Sequence, residues 1–131
     1  MSEIDHQPSP PVLDADHLSA MTGGDTGLAM EVIDIFRQQT EIWSRMLTAS
    51  MPQRQWADAA HSLKGSALSV GAMRLSEACK SAETLGREDR QVSDAEAGVA
   101  LSAVKDEIGP ALEAAAHLAH QLSSSGRFIS S

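Results

Sequence analysis

Apolar residues recur every three to four positions through most of the chain, and proline, glycine or capping residues punctuate the recurrence. That period belongs to the α-helix; strands would alternate. From Thr26 to about Ser50, Leu28, Val32, Ile35, Phe36, Ile42, Trp43, Met46 and Leu47 share one face, interrupted by Gln39. Pro52 ends this segment, because proline disfavours helical geometry in the residue before it, and it suits the first turn of the next helix. That next helix spans Gln53 to Val70 and closes at Gly71. A third runs from Ala72 to Leu85, with Leu75, Ala78, Cys79, Ala82 and Leu85 on its core side, and Gly86 ends it. Ser93 or Asp94 caps a last helix reaching Leu122, striped by Leu101, Val104, Ile108, Leu112, Ala115, Ala119 and Leu122. Gly109-Pro110 lies inside it and predicts a kink or break, since Pro110 removes the bond to the Asp106 carbonyl.

Four such helices with short connections predict an all-α fold, an antiparallel up-down four-helix bundle over residues 13–122. Asp14 to Met21 predicts a short N-terminal helix capping one end, with Asp25 or Thr26 as the N-cap of the helix that follows. Residues 1–12, with Pro8, Pro10 and Pro11, read as a disordered arm. Residues 123–131 are serine-rich and read as a flexible tail in which Phe128 and Ile129 can dock.

A length of 131 residues suits one domain. The net charge of −8 argues against nucleic acid and anionic membranes as partners. One cysteine, Cys79, fits a reducing cytoplasm and a packing role. The N-terminus has neither the basic start nor the apolar block of a secretory signal, and no apolar run approaches a membrane span.

The informative face lies on the Gln53–Val70 helix. With His61 at zero and 100° per residue, Lys64 falls near 300°, Gly65 near 40° and Leu68 near 340°. Trp56, Ala60, Leu63, Ala67 and Val70 fall on the opposite side, between about 180° and 260°. The histidine is therefore expected to face water, with a cation one turn along. A glycine inside a helix costs up to about 1 kcal/mol relative to alanine, so Gly65 suggests that something approaches closely.

The run Ala60-His61-Ser62-Leu63-Lys64-Gly65-Ser66-Ala67 resembles the phosphoacceptor motif of histidine-containing phosphotransfer (HPt) domains: histidine, any residue, a hydrophobic residue, lysine, glycine, a small residue. Ala67 to Ala72 resembles the family's end of helix and turn, and Leu75, Ala78, Cys79 and the acidic Glu83 its following helix. The likeness covers about Leu13 to Leu122 and departs from the family at Gly109-Pro110, where members commonly carry an aromatic or aliphatic residue. The resemblance implies a bacterial, cytoplasmic phosphorelay protein that shuttles a phosphoryl group between aspartates of receiver domains. Those receivers would belong to a hybrid histidine kinase and a response regulator. It implies His61 as phosphoacceptor through Nε2, Lys64 as the charge set against the phosphoryl oxygens, and Gly65 as room for the receiver. It also implies no kinase or ATPase activity and no cofactor, the Mg2+ belonging to the receiver. An imidazole near its ordinary pKa of about 6.5 is mostly neutral at pH 7, as a nucleophile must be.

A docking face is expected around His61, formed by Arg54, Ala57, Asp58, Leu68 and Ser69, with Arg74 and Lys80 at its border. Asp58, one turn before His61, is expected to raise the imidazole's pKa. A monomer is expected, since no helical length is left over for a dimer. The competing readings are an adaptor bundle that binds a receiver or kinase without carrying phosphate, and a receiver phosphatase. The first has no use for His61 and Lys64. The second needs an amide or acid aimed at water, and Gln38, Gln39 and Gln55 are not on the histidine face. His117 and His120, spaced i, i+3, lack a third metal ligand.

Overall fold

The computed structural model describes residues 10–128. Side chains start three of the helices. Asp14 accepts the amide of His17 at 3.1 Å to open α1 (Ala15–Met21), and Asp25 accepts the amide of Leu28 at 3.0 Å to open α2 (Thr26–Ser44). A reciprocal capping box between Ser93 and Glu96 opens α5 (Asp94–Ser125). Glu96 also takes the Arg90 guanidinium at 2.7 Å. Those bonds draw its carboxyl down to about 2 and push Arg90 upward. Between them stand α3 (Gln53–Val70) and α4 (Met73–Gly86), linked by a turn in which Gly71 adopts φ +78° and caps α3.

Successive helices α2 to α5 pack side by side, and α2 meets α5 to close an antiparallel four-helix bundle. Its core holds Ile33 and Phe36 of α2, Trp56, Ala60, Leu63 and Ala67 of α3, Leu75 and Cys79 of α4, and Leu101, Val104 and Leu118 of α5. Burial pushes the Cys79 thiol up to about 12, so it packs as a small apolar group. The short α1 lies against α2 and α3 and buries Leu18. It is pinned to the α3–α4 end: the Asp14 amide donates to the Gly71 carbonyl at 2.8 Å, and His17 Nε2 lies 2.8 Å from the Leu68 carbonyl. Among the described residues no helix is long and apolar enough to cross a membrane.

Four expectations change. The α2 helix stops at Ser44, not near Ser50. The amides of Met46 and Leu47 bond the carbonyls of Trp43 and Ser44, tightening the chain into a turn that buries Leu47. The buried face of α2 is Ala29, Ile33, Phe36 and Thr40, whereas Leu28, Ile35 and Ile42 are exposed. Pro110 does not break α5, which continues for 32 residues. Gly109 and Pro110 face solvent, where the unpaired Asp106 carbonyl can bond water, and Val104 and Ala111 hold both flanks in the core. Finally, α5 runs on to Ser125 and is capped by Gly126 at φ +69°, so residues 123–125 are helical and Phe128 packs on the core. Residues 1–9 of the expected arm, and Ile129, lie outside the described residues. Of the remaining arm, Pro11 accepts the Arg74 amide at 3.3 Å.

Candidate functional site

The site is assembled by two adjacent helices. On α3, the buried stripe of Trp56, Ala60, Leu63 and Ala67 turns His61 outward, and its side chain is 61% exposed. On α4, Cys79, Ala82 and Gly86 are buried, which brings Glu83 to the seam facing α3. The Glu83 side chain is only 16% exposed, and its two oxygens are divided. Oε2 lies 2.8 Å from His61 Nδ1, and Oε1 accepts Lys64 Nζ at 2.7 Å. A guanidinium nitrogen of Arg87 stands 3.8 Å from Oε2, while another donates to Asp58 at 2.7 Å. The Lys64 and His61 bonds hold the Glu83 carboxyl below its ordinary range against the opposing effect of desolvation.

A charged carboxylate is an acceptor only, so it keeps the proton of a neutral imidazole on Nδ1. The lone pair is then on Nε2, which has no hydrogen-bond partner among the described residues. This is a histidine prepared as a nucleophile, or as a base, toward something arriving from solvent. It stands on an open face. A groove of about 870 Å³ adjoins it, lined by Gln53, Arg54, Asp58, Gly86 and the loop from Arg87 to Arg90. Among the described residues no group of three or more side chains could hold a metal ion.

The expected residues fall out unevenly. His61, Lys64 and Gly65 share the site, but Lys64 is tied to Glu83, with its side chain 26% exposed. A Cβ built on Gly65 would meet nothing within 4 Å, so nothing inside the protein demands a glycine there. Arg54 and Leu68 are exposed, as a docking face requires, and Asp58 is exposed but paired with Arg87. The Ser69 hydroxyl donates to the Ser66 carbonyl at 2.6 Å. Ala57 is fully buried against α4 and cannot belong to a docking face. The carboxylate on His61 is Glu83, not Asp58, because Asp58 turns toward Arg87. Sequence reading noted Glu83 without giving it a role. Its signal was an acid four residues past the buried Cys79 and next to the buried Ala82, an edge-of-core position where a carboxylate needs partners.

These residues build a helical bundle that presents one oriented, solvent-facing imidazole on an open face. The Hpt domain family matches residues 29–110, and the chain belongs to that family. It is similar, at 31% identity and a TM-score of 0.69, to the crystal structure of histidine phosphotransferase ShpA from Caulobacter crescentus. That likeness covers 88% of this chain and 98% of the other. No curated protein matches the chain.

Proposed function

We propose that the protein is a phosphocarrier: His61 takes a phosphoryl group from an aspartyl phosphate of one receiver domain and delivers it to an aspartate of another. The supporting observation is the 2.8 Å contact between His61 Nδ1 and Glu83, with Nε2 left open. In the step, the Nε2 lone pair forms the N–P bond as the aspartyl O–P bond breaks and the carboxylate leaves. Positive charge develops on the ring. Glu83 faces the Nδ1 proton and neutralises that charge as it appears, so its contribution grows toward the transition state. Lys64 and Arg87 are the cations within the same cluster, and both can turn from their carboxylates to the incoming phosphoryl oxygens. Gly65 gives the receiver room, and Arg54, Asp58, Leu68 and Ser69 surround the approach. The receiver supplies Mg2+ and the second carboxylate. The partners are receivers of a hybrid histidine kinase and a response regulator, met by a monomer in a bacterial cytoplasm, and the protein has no kinase or ATPase activity of its own.

The test is incubation with a radiolabelled phosphoreceiver, comparing wild type with His61→Gln. Acid-labile, base-stable label on wild type alone is the expected result. Stable binding without label on either protein would replace the carrier with an adaptor. Loss of receiver label as free phosphate in both would indicate a phosphatase.

A further inference from the structure

Gly86 ends α4 and is buried, yet it does not serve a left-handed turn: the positive-φ glycines described are Gly23, Gly24, Gly71 and Gly126. Space is the reason for it. A Cβ on Gly86 would stand 2.7 Å from the Cβ of Ala57 and 2.7 Å from Cζ3 of Trp56. Neither neighbour can yield cheaply. The Ala57 Cβ moves only with the α3 backbone, and Trp56 is a core side chain at 2% exposure. The absence of one methyl group therefore lets α3 and α4 approach at this level. Gln53 holds the same junction, donating to the carbonyls of Gly86 at 3.2 Å and Arg90 at 3.0 Å and accepting the Val92 amide at 2.7 Å.

One turn along from that contact, the two helices carry the reacting group and its partner. His61 is four residues after Ala57, and Glu83 is three before Gly86. Their 2.8 Å bond spans the same seam, and Asp58 and Arg87, the residues after Ala57 and Gly86, pair across it at 2.7 Å. We infer that Gly86 is a positioning residue for phosphotransfer: it sets the α3–α4 spacing at which Glu83 reaches His61 Nδ1 and keeps the lone pair on Nε2. Its functional readout rests on the phosphocarrier reading above. A side chain here would push the C-terminal turn of α4 outward, carrying Glu83 and Arg87 with it. Side-chain hydrogen bonds of this kind span about 2.7–3.2 Å and are lost by about 3.6 Å, so a small displacement is enough to break the bond to the ring.

The experiment is a double-mutant cycle on the full chain with Gly86→Ala and Glu83→Ala, read by the rate of label transfer from a phosphoreceiver. Nitrogen NMR of the His61 ring is recorded on the same proteins without any partner. Gly86→Ala should slow transfer about ten- to a hundredfold and shift the neutral ring from the Nδ1–H toward the Nε2–H tautomer. In the Glu83→Ala background it should slow transfer several-fold less than in wild type, because the bond to His61 is already gone and only the displacement of Arg87 remains. Equal slowing in both backgrounds, or a folded Gly86→Ala protein with the wild-type tautomer and rate, would overturn the inference. Should Gly86→Ala fail to fold, Glu83→Asp decides. It withdraws the carboxylate by one methylene and leaves the Gly86 contact intact, and it must show the same tautomer shift. A wild-type tautomer in Glu83→Asp would overturn the role of spacing. If wild type itself takes no label, the phosphocarrier reading fails, and the NMR comparison still decides whether Gly86 positions Glu83.

Discussion

At Gly65 stability and function should respond with opposite signs. The position is helical and exposed, and a Cβ there meets nothing within 4 Å. Gly65→Ala should therefore stabilise the isolated protein by up to about 1 kcal/mol, measured by urea denaturation, while slowing transfer from a phosphoreceiver. Unchanged transfer would mean that the partner does not come close at this point. Glu83 makes a different prediction, in pH. Its folded-state pKa is depressed, so its contribution is complete above its ordinary value of 4.5 and is lost as the pH falls through the lowered value. Glu83→Gln should be less stable than wild type at neutral pH, and the gap should close as acid protonates wild-type Glu83. Denaturation curves between pH 7 and pH 2 would show this, and a gap independent of pH would refute it. His61, Lys64 and Gly65 could be read from the sequence because one helical period fixes their relative placement over five residues. Glu83 could not be assigned, because it stands 22 residues from His61 on another helix and only packing sets that distance. Ala57 was misassigned for the same cause. The helical wheel put it near His61, but α4 covers it because Gly86 lets the helices close.

Helices and their caps were largely legible, since Asp25, Ser93 and Gly71 state their roles locally. Which side of α2 is buried was not. Apolar residues occupy two adjacent flanks of that helix, and periodicity finds the arc without saying which edge meets the core. The buried edge includes Ala29 and Thr40, which a count of large hydrophobes passes over; the Thr40 hydroxyl is satisfied by the Phe36 carbonyl at 2.7 Å. The α5 interior shows tertiary packing outweighing intrinsic propensity. Pro110 faces solvent in a helix held by Leu101 and Val104 before it and Ala115 and Leu118 after it. Pro110→Ala should restore the missing amide and remove the ring, stabilising the protein by about 1–3 kcal/mol. A higher urea midpoint at unchanged m-value would report this. A lower midpoint would mean that the proline sets a bend the bundle requires.

Under the phosphocarrier reading proposed above, the molecule as a whole divides labour with its partner. Its described residues supply an oriented imidazole, two nearby cations and an open face, and no cluster of three or more side chains that could ligate a metal. On that reading, phosphoryl transfer between oxygen and nitrogen needs charge neutralised on the moving group, and a divalent ion on the receiver is proposed to supply what Lys64 and Arg87 do not. Chelation should separate the two contributions. EDTA should leave the melting temperature and helicity of the isolated protein unchanged, because the bundle is built on apolar packing and caps. It should sharply lower transfer from a phosphoreceiver, and added Mg2+ should restore it. The ordering of His61 by Glu83 should survive chelation, so the ring's tautomer in the free protein should not move. A fall in melting temperature on chelation would show that the chain holds a metal of its own. Transfer that persisted without Mg2+ would place the whole electrostatic burden on Lys64 and Arg87.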